Sequence, residues 1–251
     1  MTAIKAYIFR QWWIFRRSWF SEITLSIILP VALYLSIVVV FEQLLIVSPG
    51  DFPYPMWVFP GLLFTLITVM IYLSIYTDLS EGGRLIELSE SITSTPNSSI
   101  SIITAATLSV IPSVLLKSVL GGILLSLVIG FIPSIVSLIG LLLYMIILSL
   151  LISGIVITIS LLTKRHVTHL GVAFIVFLFL FFLSGWIFPL EFMPSSLYSI
   201  FRYLPTTKLL EGCRMLLLDD QFTILTWLIP LGIGIVWLLI NAVIYSRKVP
   251  G

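Results

Sequence analysis

The chain has 251 residues, 59% of them hydrophobic and 10% charged, whereas a water-soluble domain carries about 25% charged residues to cover its exterior. Such a composition excludes an aqueous surface and makes lipid the solvent. A formal charge of +2 argues against a nucleic-acid partner, and the single Cys213, which can close no intrachain disulfide, reads as a small packing residue.

Crossing a hydrocarbon layer of about 30 Å at about 1.5 Å per residue takes about 20 apolar residues. Six apolar runs meet that length: 23–47, 57–76, 100–130, 135–162, 170–188 and 222–245. They predict an all-α, polytopic membrane protein, a single transmembrane domain over 1–251 with six transmembrane helices.

Residues 2–20 precede the first run and are too interrupted by charge to span. On a helical wheel Ile4, Tyr7, Ile8, Gln11, Trp12, Ile14, Phe15 and Trp19 share a broad face. Lys5 and Arg16 flank it on one side, Arg10 and Arg17 on the other, the pattern of an amphipathic helix lying in the headgroup layer. No small-residue cleavage site follows, so the segment does not read as a removable leader. Phe9, Trp13 and Phe20 fall between the two cation rows. The helix is thus either a plain membrane anchor or, through those aromatics, a protein contact as well.

Turn sequences rich in Pro and Gly, Ser48 to Pro55 and Gly130 to Ser134, join the first run to the second and the third to the fourth. Pro112 and Pro230 predict kinks in the third and sixth helices. Between the second and third runs, 77–99 forms a longer loop in which Leu85, Leu88 and Ile92 recur at helical spacing. Arg84, Glu87 and Glu90 are available for the opposite surface. Such a short helix either packs on its own protein or seats in a partner's groove.

Lys117 lies within the third run, which makes it a functional-site candidate on a substrate pathway unless tilt or snorkelling brings its ammonium to the interface. Glu22 and Glu42 stand near the ends of the first run and Asn241 near the end of the last, where interfacial solvation suffices. His166 and His169 form a His-x-x-His pair without nearby Cys or acid, a poor metal site.

The stretch 184–221 is broken by Gly185, Pro189, Pro194 and Pro205 into pieces too short to cross, yet stays apolar. Non-helical backbone survives at membrane depth only where protein or water satisfies it. The stretch is therefore either a re-entrant helical hairpin before the last span or a folded outer loop. Trp57, Trp186 and Tyr245 fit an aromatic belt.

Orientation follows from cations, which in short loops stay on the cytoplasmic side. With the amino terminus inside, the inner segments hold Lys5, Arg10, Arg16, Arg17, Arg84, Lys164, Arg165, Arg247 and Lys248, against Arg202, Lys208 and Arg214 outside. Nine against three predicts a multi-pass protein of the cell membrane with both termini cytoplasmic. No HExxH, GxSxG or GxxxxGK[ST] pattern occurs. No catalytic, metal-binding or cofactor-binding residues are predicted, and any ATP must be bound by another chain.

This element order resembles the permease subunit of type-2 ATP-binding-cassette exporters over nearly the whole chain. Three stretches resemble it in sequence: Val58-Phe59-Pro60-Gly61-Leu62-Leu63; Gly83 to Leu88 followed by Thr95-Pro96; and Leu183 to Pro194 continuing to Leu210-Glu211-Gly212-Cys213-Arg214. The family's Asn-Pro-aromatic sequence is replaced here by Leu204-Pro205-Thr206-Thr207. The resemblance implies two permeases, identical or related, around a central pathway, with two cytoplasmic ATPase subunits carrying ATP and Mg. It also implies that residues from Glu81 to Ile92 seat in an ATPase groove and that nucleotide-driven closure pushes that loop and the interfacial helix. A secondary transporter or channel, or a membrane-embedded enzyme or assembly factor, are the competing classes. The first lacks a repeated half and has only Lys117 among ionisable residues well inside a run, and the second lacks clustered polar chemistry.

Overall fold

A backbone in lipid must satisfy its polar groups internally, which leaves these apolar runs little choice but helix. The computed structural model describes residues 3–44, 52–80, 99–163 and 165–248. Helix α1 runs Ala3–Leu33, passes through a π-helical turn at Tyr34–Val38 and continues as α2, Val39–Leu44. Then come α3 (Tyr54–Ser80), α4 (Ser99–Ile129), α5 (Ile135–Leu162), α6 (His166–Leu183), the short α7 (Ser195–Phe201), α8 (Pro205–Leu218) and α9 (Ile224–Lys248).

The separate amino-terminal helix expected over 2–20 is not a distinct element. Helix α1 carries straight on past Phe20, because Ser21 and Glu22 offer neither Pro nor Gly to break it. The π turn lies four residues beyond Pro30, whose missing N–H leaves the Ser26 carbonyl without its usual helical donor.

Among the described residues five helical segments are long and apolar enough to cross a membrane: Trp19–Gln43, Tyr54–Ile75, Ile100–Ile129, Ile135–Leu162 and Ile224–Arg247. A shorter apolar helix, Val167–Leu183, has a length of about 26 Å at the standard rise. The chain is a polytopic all-α membrane protein.

In the central helix α3, 78% of the apolar window is buried, against 17% in the first segment, so α3 is the axis and α1 the periphery. Around α3 pack α4 and α5, with α9 packed on both of these and α1 laid against α4. The core includes Phe59, Leu62, Leu66 and Met70 of α3, Val114 of α4, and Tyr144, Leu148 and Ile152 of α5. Hydroxyls inside α5 are spent on their own helix, Ser149 Oγ donating to the Met145 carbonyl and Ser153 Oγ to that of Ser149.

Candidate functional site

At one end of the bundle the residues 184–221 fold into a cap. Ser184 closes α6, and Gly185 turns the chain at φ +72°, a left-handed conformation that glycine adopts without a Cβ penalty. Pro189 leads into a single 3₁₀ turn, Leu190–Phe192, and Pro194 precedes α7. Pro205 occupies the first turn of α8, where its missing N–H costs nothing. The Ser184 and Thr206 hydroxyls pair at 2.8 Å, fastening the start of the cap to α8.

The cap reaches well into the bundle. Trp186 is fully buried and sets its ring edge-on to Phe64 of α3 at 6.1 Å between centroids. The Trp186 carbonyl lies against Gly61, seven residues or about 10 Å along α3, so closely that a Cβ on Gly61 would stand 1.9 Å from it. The Tyr54 hydroxyl donates to the Ile187 carbonyl at 3.1 Å. Trp186 Nε1 and Thr207 Oγ1 are buried without a hydrogen-bond partner among the described residues.

Arg214, on α8, joins these parts. Its Nε donates to the Trp57 carbonyl at 3.1 Å and one terminal nitrogen to the Gly185 carbonyl at 2.8 Å, with Trp186 O at 3.4 Å. The guanidinium also lies over the Trp57 ring at 3.4 Å from its centroid. Burial pulls its pKa down to about 9, opposed by Cys213, Glu191, Glu211 and Tyr54, so at neutral pH it remains a cation. Burial likewise pushes the neighbouring Cys213 thiol up to about 12, against the pull of Arg214.

The other side of α8 closes on α5 and α9. Tyr144 Oη and Thr226 Oγ1 pair at 2.9 Å, and Gly212 sits on that pair, a Cβ there falling 2.2 Å from Thr226 Oγ1. Ser137 Oγ donates to Asp220 Oδ1 at 2.9 Å, where Asp220 has φ 52°, and Ser134 caps the start of α5. Of the remaining cap residues expected to matter, Glu211 is paired with Lys208 at 2.7 Å, while Glu191 and Pro194 are exposed and Pro189 is buried.

Lys117 stands within α4, 6% exposed, and forms an ion pair with Glu22 of α1. Glu22, partly exposed near the start of the first span, thus has a buried cation as partner as well. The two helices can approach there because Gly121, one turn on, has no side chain. A Cβ would lie 2.5 Å from Leu66 Cδ2 and 3.1 Å from the Ser26 carbonyl that Pro30 leaves without its helical donor.

Asn241 is not at a solvated helix end. It is fully buried, donating through Nδ2 to the Gly154 carbonyl at 2.8 Å and accepting from Thr158 Oγ1 at 2.7 Å, while Trp237 Nε1 donates to that same hydroxyl. The signal in the sequence was an amide one turn from Trp237 on a single apolar helix, which calls for a partner in lipid.

The coupling residues Glu81, Arg84, Leu85, Glu87, Leu88 and Ile92 lie outside the described residues, and so do the side chains of Lys5 and Arg10. Trp13, Arg16 and Arg17 are exposed on α1. His169 stacks on Tyr72 at 5.8 Å, with its Nδ1 3.1 Å from Thr163 Oγ1. No cluster of three or more His, Cys, Asp or Glu residues suited to a metal occurs among the described residues.

The arrangement has the means to fasten and seal one end of a helical bundle rather than to perform covalent chemistry. Against known proteins, the family model described as ABC-2 type transporter matches residues 2–218. No curated protein matches the chain.

Proposed function

The chain belongs to the ABC-2 type transporter family, and from that premise we propose that it is the permease subunit of an ATP-driven exporter, paired with a second copy or paralogue around a substrate pathway. Membership makes it a transport module of the membrane rather than an enzyme. ATP and Mg belong to separate cytoplasmic ATPase subunits in this reading. The observation that carries it is the match over 2–218, which takes in the amino-terminal arm, the first five apolar runs and most of the cap.

The same reading counts α6 as a sixth span and puts both termini in the cytoplasm of a cell-membrane protein, supported by the excess of Lys and Arg on that side. The cap then faces outward as a re-entrant hairpin, supported by the depth at which Trp186 meets Gly61. Residues from Glu81 to Ile92 couple to the ATPase, and the exposed Trp13, Arg16 and Arg17 of α1 face headgroups or that same partner. The Lys117–Glu22 pair is the polar element that a substrate meets along the pathway.

A pull-down in mild detergent tests the reading. The expected result is a copurifying ATPase and ATP-dependent transport in vesicles. Absence of such a partner, with transport indifferent to ATP, would falsify it. Leu88→Asp should abolish ATPase association while insertion is retained, and unchanged association would remove the coupling role.

A further inference from the structure

Helix α6 is the most loosely attached of the long helices, resting sparsely on α5 and α3. Between those three helices a groove of about 290 Å³ remains open. It is lined by Thr68 and Tyr72 of α3, Val156 and Ile159 of α5, and Ala173 and Phe177 of α6 among others, an almost wholly apolar wall. Thr68 spends its hydroxyl on the Phe64 carbonyl, so it presents a methyl rather than a donor.

The groove's dimensions and ends are specific. On α6 it extends from Leu170 to Leu180, ten residues or about 15 Å, and half a hydrocarbon core of about 30 Å is also about 15 Å. On α5 it ends at Ile159, one turn short of Leu162 where that helix stops. At this end the lining residue Tyr72 stacks on His169, and Arg165, five residues before Leu170, stands exposed at the start of α6, preceded in sequence by Lys164. A slot as long as one leaflet, apolar along its length and cationic at its mouth, matches an acyl chain below an anionic headgroup.

We propose that the groove between α3, α5 and α6 is a binding site for a phospholipid of the bilayer, one acyl chain lying along α6 and its phosphate beside Arg165. The lipid completes the packing that α6 lacks and holds this helix against the bundle. The inference rests on the membrane fold and not on the ATPase partnership, so it stands or falls separately from the exporter reading.

The test uses the full chain in vesicles of equal parts phosphatidylcholine and phosphatidylglycerol, with a trace of phosphatidylglycerol carrying a diazirine midway along one acyl chain. On illumination the label should concentrate on residues of α5 and α6 that line the groove. Ala173→Phe, which fills the slot from a position 7% exposed, should cut that labelling several-fold. Ile139→Phe, on an exposed face of α5, should leave it unchanged. Arg165→Gln should shift labelling towards a phosphatidylcholine probe of the same design. Label spread evenly over exposed faces such as those of Ile139 and Leu225, groove labelling that persists in Ala173→Phe, or groove residues crosslinked to a second copy of the chain would each overturn the proposal. Should Ala173→Phe fail to insert, the labelling map of the unaltered protein decides alone.

Discussion

Gly61 and Trp186 meet backbone to backbone: the space where a Cβ on Gly61 would be is already held by the Trp186 carbonyl, 1.9 Å away. Neither partner is the end of a flexible side chain, so the clash cannot be relieved by a rotamer change. Gly61→Ala should therefore destabilise the protein by about 1–3 kcal/mol, the usual cost of overpacking, read as a lower midpoint of thermal unfolding in detergent. Gly171→Ala, where a Cβ meets nothing within 4 Å, is the matched control and should be neutral or slightly stabilising. Equal midpoints for both variants would contradict the assigned contact.

Arg214 cannot be replaced by lysine. Its planar fork reaches the carbonyls of Trp57 and Gly185 while its face stacks on the Trp57 ring, and an ammonium on a flexible stem cannot do both. Arg214→Lys should lower stability by about 1–3 kcal/mol and Arg214→Gln by no less. In both, transport activity should fall by a larger factor than membrane insertion. A lysine variant with unaltered unfolding and transport would reduce Arg214 to a surface charge.

The Lys117–Glu22 pair predicts a non-additive cycle. Glu22→Gln alone strands the buried Lys117 charge, at a cost of up to about 3–5 kcal/mol, and Lys117→Leu leaves the partly exposed Glu22 unpaired at a smaller cost. The double variant should regain most of the lost stability, because it removes both charges together. If the pathway role also holds, the double variant should insert normally and still transport poorly. Additive losses would show that the two residues do not sense each other.

Cys213 offers a silent reporter. With its thiol pushed up to about 12 by burial, its thiolate fraction at pH 8 is about a thousandfold below that of a free cysteine. N-ethylmaleimide should leave the folded protein unmodified, label it rapidly in denaturant, and label Gly61→Ala at an intermediate rate as the cap loosens. Rapid labelling of the unaltered chain would mean that the packing of α8 on α3, α5 and α9 does not enclose this residue.

Much of the helical framework was legible because lipid removes every alternative to the helix, so hydropathy and length alone locate α3, α4, α5 and α9. The breaks in the cap were legible for a complementary reason: Gly185, Pro189, Pro194 and Pro205 act through their own dihedrals and missing donors, which are local properties. What could not be read was pairing at a distance. Lys117 announced that it needed an anion, but nothing near it in sequence named Glu22, and Glu22 looked adequately served by its position near a run's end. Gly61 stood out only within a stretch of family resemblance, and nothing local to it named Trp186. The continuity of α1 was in fact written in the absence of any breaker at Ser21 and Glu22. Charge density obscures it, since polarity changes at residue 20 while helix-forming tendency does not.

That continuity has a mechanical consequence. From Ala3 to Glu22 the helix measures about 28 Å, so a rotation of about 10° about its junction with Lys117 swings the amino-terminal end by about 5 Å. The intervening backbone contains no proline or glycine at which the stroke could dissipate. Displacement of the amino-terminal end and strain on the Lys117–Glu22 pair would thus be two ends of one rigid lever, geared through a single moment arm.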